Sequence, residues 1–461
     1  MGTDTVRTEA ADDAAGRRRE QRGWYFYDWA CSVYSTSVLT VFLGPYLTSV
    51  AEEAADADGF VHPLGIPVRA GSFFAYSVSL SVIVAVLVMP LVGAAADRTG
   101  RKKPLLAAAA YLGATATTAM FFLDGDRYVL GGLLLIVANA AQSVAMMLYN
   151  SYLPQIAPPE ERDAVSSRGW AFGYASGSLM LVMNLVLYLA HDSFGVSESM
   201  AVRICLASAG LWWGTFAIIP LRRLRDRRSA EDPAKAGATD AQAAGKPITQ
   251  GFRQLAATFR DMRRHPLTLA FLLAYLVYND GIQTVISQAS IYGSEELGLG
   301  QSTLIGAVLL VQVLAVAGAL AMGRLARIYG AKRTILGSLV AWTVTLAAGY
   351  FLPAGAPVWF FVLAAGIGLV LGGSQALSRS LFSHLVPPGK EAEYFAAYEM
   401  SDRGMSWLGP LLFGITYQLT GSYRDAIISL VAFFVIGFAL LARVPVRRAI
   451  SDAGNPVPTT I

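Results

Sequence analysis

Charge and cysteine are both scarce in this sequence. Of the 461 residues, only 15% are charged and 54% are hydrophobic, whereas soluble globular proteins carry about 25% charged residues. The two cysteines, Cys31 and Cys205, both lie within long apolar stretches, which disfavours a disulfide or a metal site built on them. The low charge therefore argues against a soluble protein.

Groups that carry common enzymatic chemistry are also sparse. The four histidines are scattered along the chain without metal-ligand spacing. No Gly-x-x-x-x-Gly-Lys-Ser/Thr motif is present, so ATP is not the energy source within this chain. The net charge of +4 does not come from a basic patch on a soluble domain, so a nucleic-acid partner is not indicated. We expect neither an enzyme nor a bound metal or cofactor.

What the sequence has in abundance is long apolar segments. The mean hydropathy is +0.48, and a helix needs about 20 mostly apolar residues to cross a bilayer. Twelve such segments lie at approximately 24–50, 70–95, 104–123, 129–153, 166–190, 200–220, 266–293, 302–323, 332–352, 357–385, 394–419 and 424–443. The sequence thus predicts an all-α membrane protein with twelve transmembrane helices.

The distribution of lysine and arginine predicts the orientation of these helices. With the N-terminus inside, the inner connections and tails hold 32 of the 36 Lys and Arg residues, which leaves Arg69, Arg127, Arg203 and Arg424 outside. Cytoplasmic connections are enriched in these residue types, so both termini are predicted to be cytoplasmic. We expect a multi-pass protein of a bacterial cytoplasmic membrane.

A short basic turn occurs twice, each time between two apolar segments. The first copy runs from Gly93 to Leu106 and the second from Gly323 to Leu336. Lys102 of the first copy occupies the position of Lys332 in the second. Three further landmarks recur in the same order, namely 27–28 with 278–279, 156–159 with 385–388, and 167–169 with 402–404. The sequence therefore predicts two six-helix pseudo-repeats, an architecture typical of transporters that bind solute near the midplane between the halves.

This repeat divides the chain into five predicted parts. They are a cytoplasmic tail at 1–23, an N-terminal bundle at 24–222, a cytoplasmic linker at 223–265, a C-terminal bundle at 266–445 and a cytoplasmic tail at 446–461. Within the linker, Phe252, Leu255, Phe259 and Met262 recur at helical spacing among basic residues. That pattern predicts an amphipathic helix on the inner membrane surface.

The sequence also resembles a known family. Its twelve segments, its long linker and its turn Gly93-Ala-Ala-Ala-Asp-Arg-Thr-Gly-Arg-Lys102 look like the major facilitator superfamily. The vacuole-effluxer-like branch and its bacterial relatives are resembled at 24–30, 278–284, 372–382 and 406–412. One departure is Cys31, where that branch usually has asparagine. The resemblance covers almost the whole chain and implies the major facilitator fold and an exporter of amino acids or similar small solutes.

Polar side chains at helical spacing in four segments predict a solute-binding surface. Polar groups within spans are costly, so they are expected to face the bundle interior or a wet cavity. The resemblance implies that spans one, four, seven and ten line this cavity. The candidates are Tyr34, Asn139, Gln142, Tyr275, Asn279, Asp280, Gln283, Gln375 and Arg379. The alternative is that these side chains form hydrogen bonds between helices without touching solute.

Three charged residues within the spans have more than one interpretation. Arg379 offers paired donors to an anionic group such as a carboxylate, and a gate near the inner mouth is an equal alternative. Asp28 and Asp280 are available to accept a proton or to neutralise an ammonium group. Asp28 lies only a few residues into its span, which favours an interface or gate residue, whereas Asp280 lies deeper.

The basic turn predicts a gating contact. Asp97 lies at a helix end, where we expect it to pair with Arg101 or with a basic residue of a neighbouring span, or to cap a helix N-terminus. Arg168 is the nearest candidate partner in the sequence. The alternative is purely topological, since basic residues hold such a loop inside. The gating or coupling candidates are Asp28, Asp97, Arg98, Arg101, Arg168 and Arg403. Glu399, Asp402 and Arg403 form a charge cluster that we interpret mainly as a structural network.

The favoured function is secondary active transport of a small polar solute by alternating access. Amino-acid export is the first expectation, and the proton is the default coupling ion because Asp28 and Asp280 are available. The alternatives are another small solute, such as a sugar, an organic anion or a drug, and a sensor that kept the fold without transport. The expected partners are the solute, membrane lipids and protons, and the expected state is a monomer.

Overall fold

A computed structural model describes residues 2–226, 260–403 and 408–461, with side chains for 15–226, 260–300, 303–402 and 408–461. Most of the predicted linker, including Phe252, Leu255 and Phe259, lies outside the described residues. The described chain is almost entirely helical. Its only described strands form a small antiparallel pair, β1 (Phe60–Val61) and β2 (Val68–Arg69), in the predicted first outer loop.

The predicted N-terminal half contains eight α-helices within its described residues. They are α1 (Gly2–Val33), α2 (Leu43–Glu53), α3 (Phe73–Thr99), α4 (Lys102–Ala119), α5 (Tyr128–Asn150), α6 (Leu153–Ile156), α7 (Arg162–Leu189) and α8 (Glu198–Arg223). A π-helix at Tyr34–Phe42 joins α1 to α2 within the first span. Short 3₁₀ turns lie at Pro63–Gly65, Ala70–Ser72, Met120–Phe122, Pro159–Glu161 and His191–Phe194.

The predicted C-terminal half contains nine α-helices within its described residues. They are α9 (Pro266–Ile291), α10 (Gln301–Tyr329), α11 (Ala331–Tyr350), α12 (Pro357–His384), α13 (Glu391–Arg403), α14 (Leu408–Thr420), α15 (Tyr423–Ser429), α16 (Val431–Arg443) and α17 (Val446–Asp452). A second π-helix, Tyr292–Glu296, extends α9.

The described helices bear out the predicted spans. Ten of them are long and apolar enough to cross a membrane, and they coincide with ten of the twelve predicted segments. The ninth predicted segment is α11, and the eleventh falls on α13 and α14. The prediction of an all-α membrane protein is therefore confirmed, and the twelve-helix count agrees with the fold established below.

Two compact units make up the chain. One comprises Met1–Tyr149 and Ala175–Phe252, and the other comprises Asn150–Tyr174 and Arg253–Ile461. The segment 150–174 belongs to the N-terminal half of the sequence but clusters with the C-terminal half. Below, the first unit and the second unit denote these two sets of residues.

In the first unit, the third and sixth spans are tied together at both ends. The backbone N–H of Lys103 at the start of α4 donates to Asp226 Oδ1, just beyond α8, at 2.8 Å. At the other end of the same helices, Arg203 Nη1 lies 3.0 Å from Asp124 Oδ2. The first basic turn thus anchors α4 to the end of α8.

The second unit repeats this arrangement with different atoms. Lys332 Nζ donates to the carbonyl oxygens of Ala442 and Val444, at 2.8 and 2.7 Å, at the end of α16. Arg424 Nη1 donates to the carbonyl oxygen of Tyr350, at 2.7 Å, at the end of α11. The two basic turns therefore share a structural role, in which the turn before the third span of each half holds the last span of that half. The first copy does so through the backbone of Lys103 and the second through the side chain of Lys332.

Glycines allow α10 and α12 to pack closely. A Cβ atom on Gly318 would overlap the carbonyl group of Leu369, and one on Gly372 would overlap the carbonyl oxygen of Ala315. Gly368 and Gly372 are four residues apart, the spacing that lets membrane helices approach closely at small residues. Because the obstructing atoms belong to the backbone, an added methyl group can be accommodated only by moving the helices apart.

We therefore expect Gly318→Ala to lower the free energy of unfolding by about 1–3 kcal/mol, the usual cost of overpacking. The matched control is Gly337→Ala in α11, where an added Cβ meets no atom within 4 Å and where alanine has the better helix propensity. Thermal unfolding of the purified variants in detergent measures both. Equal melting temperatures for the two variants would show that the α10–α12 contact is looser than described.

The described end of the linker is anchored to the second unit. Asp261 Oδ2 accepts hydrogen bonds from Lys390 Nζ at 2.7 Å and from Tyr394 Oη at 3.1 Å. Partial burial acts to raise the pKa of Asp261, but the hydrogen bond and charge of Lys390, together with the Tyr394 hydroxyl, lower it overall. Since the folded-state pKa is depressed, this contact stabilises the fold at neutral pH and is lost only under strongly acidic conditions. Met262 beside it is fully buried.

Candidate functional site

The second unit contains a polar cluster that joins three of the predicted site residues to an acid. Asp402 Oδ1 accepts hydrogen bonds from Asn279 Nδ2 at 2.7 Å and from Tyr275 Oη at 3.0 Å. Gln375 Nε2 donates to Asn279 Oδ1 at 2.7 Å. We call Tyr275, Asn279, Gln375 and Asp402 the amide–carboxylate cluster. Its members come from α9, α12 and α13.

Helix geometry explains why these residues meet. Tyr275 and Asn279 are four residues apart in α9, so they share one face of that helix and reach the same acceptor. Tyr275 also stacks on Tyr398 of α13, with ring centroids 4.4 Å apart. Because Asp402 lies one turn after Tyr398 in the same helix, this contact sets the position of Asp402 along α9. Tyr275, Asn279 and Gln375 are buried, whereas Asp402 is only half-buried. The cluster therefore presents a half-buried carboxylate that accepts from Asn279 and Tyr275, and a carboxylate suits a donor-rich or cationic group.

Asp280, the neighbour of Asn279, takes part in a separate contact. Its Oδ2 atom accepts a hydrogen bond from the backbone N–H of Gly409 at 2.8 Å. Gly409 is the second described residue of α14, so this hydrogen bond joins α9 to α14. Its Oδ1 atom is buried and accepts no hydrogen bond within the described residues. Gln283, a further predicted residue of α9, is half-buried.

The first unit contains a smaller polar cluster around Gln142. Gln142 Nε2 donates to Ser35 Oγ at 2.8 Å, and Gln142 Oε1 is buried without a hydrogen bond from any described residue. Ser35 lies in the π-helix Tyr34–Phe42, where Thr40 Oγ1 donates to the carbonyl oxygen of Ser35 at 2.7 Å. Short π-helical segments occur frequently at functional sites. The open carbonyl oxygen of Gln142 is therefore a candidate acceptor for a solute donor.

Three other predicted residues of the first unit make internal contacts. Asn139 Nδ2 donates to Ser81 Oγ of α3 at 2.6 Å, a hydrogen bond between helices. Tyr34 packs near Trp213, with ring centroids 5.8 Å apart. Asp28 Oδ2 accepts from Tyr149 Oη at 2.6 Å. Asp28 is buried, so the structure places it inside the helix packing although its predicted depth in the span is shallow.

Arg379 lies in a different contact, which we call the arginine latch. Its Nε atom donates to Ser166 Oγ at 2.9 Å, its Nη2 atom to the carbonyl oxygen of Ser166 at 2.9 Å, and its Nη1 atom to Asn150 Oδ1 at 3.1 Å. The guanidinium carbon lies 5.4 Å from the centre of the Trp170 ring. Asn150 Nδ2 in turn donates to Glu399 Oε1 at 2.7 Å. The Asn150 amide thus connects a buried cation to a buried anion.

Further hydrogen bonds hold the segment 150–174 against α12. Ser380 Oγ donates to Asp163 Oδ1 at 2.6 Å, Ser166 Oγ to the carbonyl oxygen of Ala376 at 2.6 Å, and Arg162 Nη1 to the carbonyl oxygen of Ser383 at 2.9 Å. With its side chain 1% exposed, Arg379 is enclosed by protein in the described conformation. This geometry favours the gate interpretation of Arg379 over direct solute binding.

At the first basic turn, Asp97 forms a salt bridge with Lys102, in which Asp97 Oδ1 lies 3.3 Å from Lys102 Nζ. Both side chains are only 4% exposed. The sequence pattern predicts Arg101 or a basic residue of a neighbouring span such as Arg168 as the partner of Asp97, whereas the described salt bridge is with Lys102. Gly100, with φ of 63°, reverses the chain between α3 and α4 and brings Lys102 back towards Asp97. Arg98, Arg101 and Arg168 are exposed. Arg403 ends α13, and its side chain lies outside the described residues.

Comparison with known proteins shows the family of this chain. A family described as "Vacuole effluxer Atg22 like" matches residues 16–454. The chain belongs to this Atg22-like family. The resemblance predicted from the sequence is therefore confirmed.

Two relatives of the Atg22-like family illustrate its range. An uncharacterized MFS-type transporter of Bacillus subtilis, YxiO, is 29% identical over 445 residues, which covers 95% of this chain and 98% of that protein. Autophagy-related protein 22 of Yarrowia lipolytica is 28% identical over 470 residues, which covers 84% of this chain and 78% of that protein. This Atg22-like protein is thus similar along most of its length to both bacterial and fungal chains.

Solved structures establish the fold. The proton:xylose symporter XylE, of the major facilitator superfamily (MFS), aligns with a TM-score of 0.67 at 15% identity, over 93% of this chain and 95% of that one. The human organic anion transporter MFSD10 aligns with a TM-score of 0.61 at 14% identity, over 92% and 99%. At these identities the likeness shows the fold alone. Together with the family match, it identifies a multi-pass membrane transporter of the MFS type.

Three residues of the described contacts were not among the predicted site residues. Asp402 was assigned to a structural network, although it lies at the centre of the amide–carboxylate cluster. Asn150 lies on the same predicted polar face of span four as Asn139 and Gln142, and that spacing is its only signal in the sequence. Ser166 carries no signal at all, because its contact with Arg379 joins positions 213 residues apart.

Proposed function

We propose that this Atg22-like protein is a secondary active transporter that exports small solutes bearing an amine, with amino acids as the favoured class. Transport proceeds by alternating access and is coupled to protons. The description of the family as effluxers supports the direction. The fungal relative named autophagy-related protein 22 places the chain in the same branch, and the substrate class rests on the polar clusters.

The observation that carries this proposal is the amide–carboxylate cluster. An acid within a membrane span is costly and marks a functional position by default. Asp402 is half-buried, and Asn279 and Tyr275 orient its carboxylate. A carboxylate in such a setting forms strong charge-assisted hydrogen bonds with an ammonium group. In the first unit, the open Gln142 Oε1 atom is likewise an acceptor, so both clusters favour a solute rich in donors.

A ligand panel on the purified protein tests the substrate class. A solute that binds only the folded protein stabilises it and so raises its melting temperature. At a concentration of 100 times the Kd, the gain in free energy of unfolding is about 2.7 kcal/mol. We expect amino acids to stabilise the wild type, and we expect Asn279→Ala, which removes a donor to Asp402, to lose that shift. Organic anions are not expected to bind. Stabilisation by an organic anion alone would contradict the assignment of an amine-bearing solute.

One specific observation favours a second candidate, a neutral polyhydroxyl solute such as a sugar. The amides of Gln142, Asn279 and Gln375 are neutral, and such groups suit hydroxyl recognition. The same panel separates the candidates, since a sugar should stabilise the protein whether or not residue 402 carries a charge. An amine-bearing solute should require that charge.

A further inference from the structure

Asp280 differs from the other two acids of the candidate sites in its hydrogen bonding. Asp28 accepts from Tyr149 Oη, and Asp402 accepts from both Tyr275 and Asn279. Asp280 is 2% exposed, and its Oδ1 atom accepts no hydrogen bond within the described residues. A buried carboxylate oxygen without a donor or a counter-ion is strongly disfavoured in its charged form. Neutralisation by a proton removes most of this cost.

The groups that surround Asp280 do not supply a positive charge within the described part of the chain. From α16, Phe433 and Phe434 pack against the adjacent Gly281, and from α14 the backbone of Gly409 approaches. From α12, Gln375 bonds to Asn279 and Ser378 to Tyr278. From α13, Asp402 accepts from Asn279, the neighbour of Asp280, and brings no positive charge.

The cations and remaining acid of the packed helices have other positions. In α12, Arg379 is held by Ser166 and Asn150, and His384 lies against Arg162. In α13, Glu399 accepts from Asn150. The arginines of α16 and α17 are exposed, namely Arg443, Arg447 and Arg448. No described cation therefore contacts Asp280, and a proton is a cation that can neutralise Oδ1 while Gly409 donates to Oδ2.

We propose that Asp280 binds the coupling proton at Oδ1 during the transport cycle. This inference rests on the proposed function, because it assigns the proton-binding residue of the same transporter. The step is a simple exchange, in which a proton from the aqueous phase on one side adds to the carboxylate to give the neutral carboxylic acid. The same proton leaves Oδ1 to the aqueous phase on the other side, and no group is oxidised or reduced.

The second oxygen of Asp280 links this proton to a helix. Gly409 N–H belongs to α14, so this hydrogen bond joins Asp280 of α9 to that helix. The ionised carboxylate accepts a stronger hydrogen bond from this donor than the neutral acid does. Protonation therefore weakens the hydrogen bond between α9 and α14. Binding of the proton thus changes how firmly α14, in span eleven, is held to α9.

Asp280→Asn tests the assignment, because the amide oxygen still accepts from Gly409 while the side chain no longer titrates. In proteoliposomes we expect this variant to retain counterflow of the transported solute at equal pH on both sides. Accumulation of solute driven by a pH gradient should fall at least tenfold. Asp452→Asn is the matched control, because Asp452 is an exposed acid of α17 outside the candidate sites, and it should keep the response to the gradient.

The outcomes separate two kinds of failure. A wild type without counterflow for any solute contradicts the proposed function itself. A wild type that responds to the gradient, with Asp280→Asn responding equally, overturns the proton site and leaves the transporter intact.

If Asp280→Asn does not fold, infrared difference spectra of the wild type and of Asp280→Glu give a second measurement. We expect a carboxylic-acid C=O band that follows pH and shifts with the longer side chain, and a band unchanged by the substitution would equally overturn the assignment.

Discussion

Arg379→Gln is expected to reduce transport about 100-fold and to lower the stability of the protein. The substitution removes the cation of the arginine latch and leaves buried acceptors without their donors, and each buried polar group left unsatisfied costs about 1–3 kcal/mol. The carbonyl oxygen of Ser166 and the Asn150 amide also lose their donors. A shift of about 3 kcal/mol against the described conformation corresponds to roughly 100-fold in its population.

A double variant shows whether charge or shape is responsible. Arg379→Gln combined with Glu399→Gln removes both charges, so we expect a large part of the stability and flux to return. Arg324→Ala is the matched control, because Arg324 is an exposed arginine of the same unit and should behave as the wild type. Thermal unfolding and initial flux measure all three. A double variant as impaired as the single one would contradict the electrostatic account of the latch.

Asp402→Asn is expected to weaken binding of an amine-bearing solute by roughly 10- to 100-fold. A hydrogen bond to a charged group contributes about 1.5–3 kcal/mol, and 1.4 kcal/mol corresponds to about tenfold in Kd. The substitution keeps the size of the side chain, and its amide oxygen still accepts from Asn279 or Tyr275. The loss should therefore appear mainly in KM for a cationic amine, with a smaller change in kcat.

Competition experiments make this prediction specific. The wild type should discriminate between an amino acid and its deaminated analogue, and Asp402→Asn should lose that discrimination. Asp452→Asn, which changes an exposed acid of α17, controls for a general effect of lost negative charge. Unchanged KM and unchanged discrimination in Asp402→Asn would remove Asp402 from the solute site and favour the neutral-solute alternative.

The sequence predicts the fold well because each span must bury its own backbone polar groups as a helix. Long apolar segments therefore mark spans directly, and the predicted bounds fall within a few residues of most of the described helices. Local departures from regular helix leave no such mark. The π-helix Tyr34–Phe42 lies within the continuous predicted segment 24–50 and contains no glycine or proline that would mark it. The salt bridge of Asp97 with Lys102 depends on the left-handed turn at Gly100, which decides which cation returns to the acid.

The candidate site could be predicted only in part. Helical spacing places Tyr275 and Asn279 on one face, and it identifies Gln375 and Arg379 as neighbours on α12. It does not tell which partner each face meets. Gln375 contacts Asn279, whereas Arg379, one turn away, contacts Asn150, at a sequence separation of 229 residues. Such pairings depend on tertiary packing, and the role of Asp402 follows from the same long-range contacts.

The central claim is that this Atg22-like protein moves an amine-bearing solute across a membrane, and solute counterflow tests it most directly. Purified protein is reconstituted into liposomes that are loaded with an unlabelled amino acid and diluted into a trace of the labelled one at equal pH. We predict transient, saturable uptake of label that Asp402→Asn reduces and that empty liposomes lack. Stabilisation by amino acids without any counterflow would contradict transport and identify a solute sensor on the same fold.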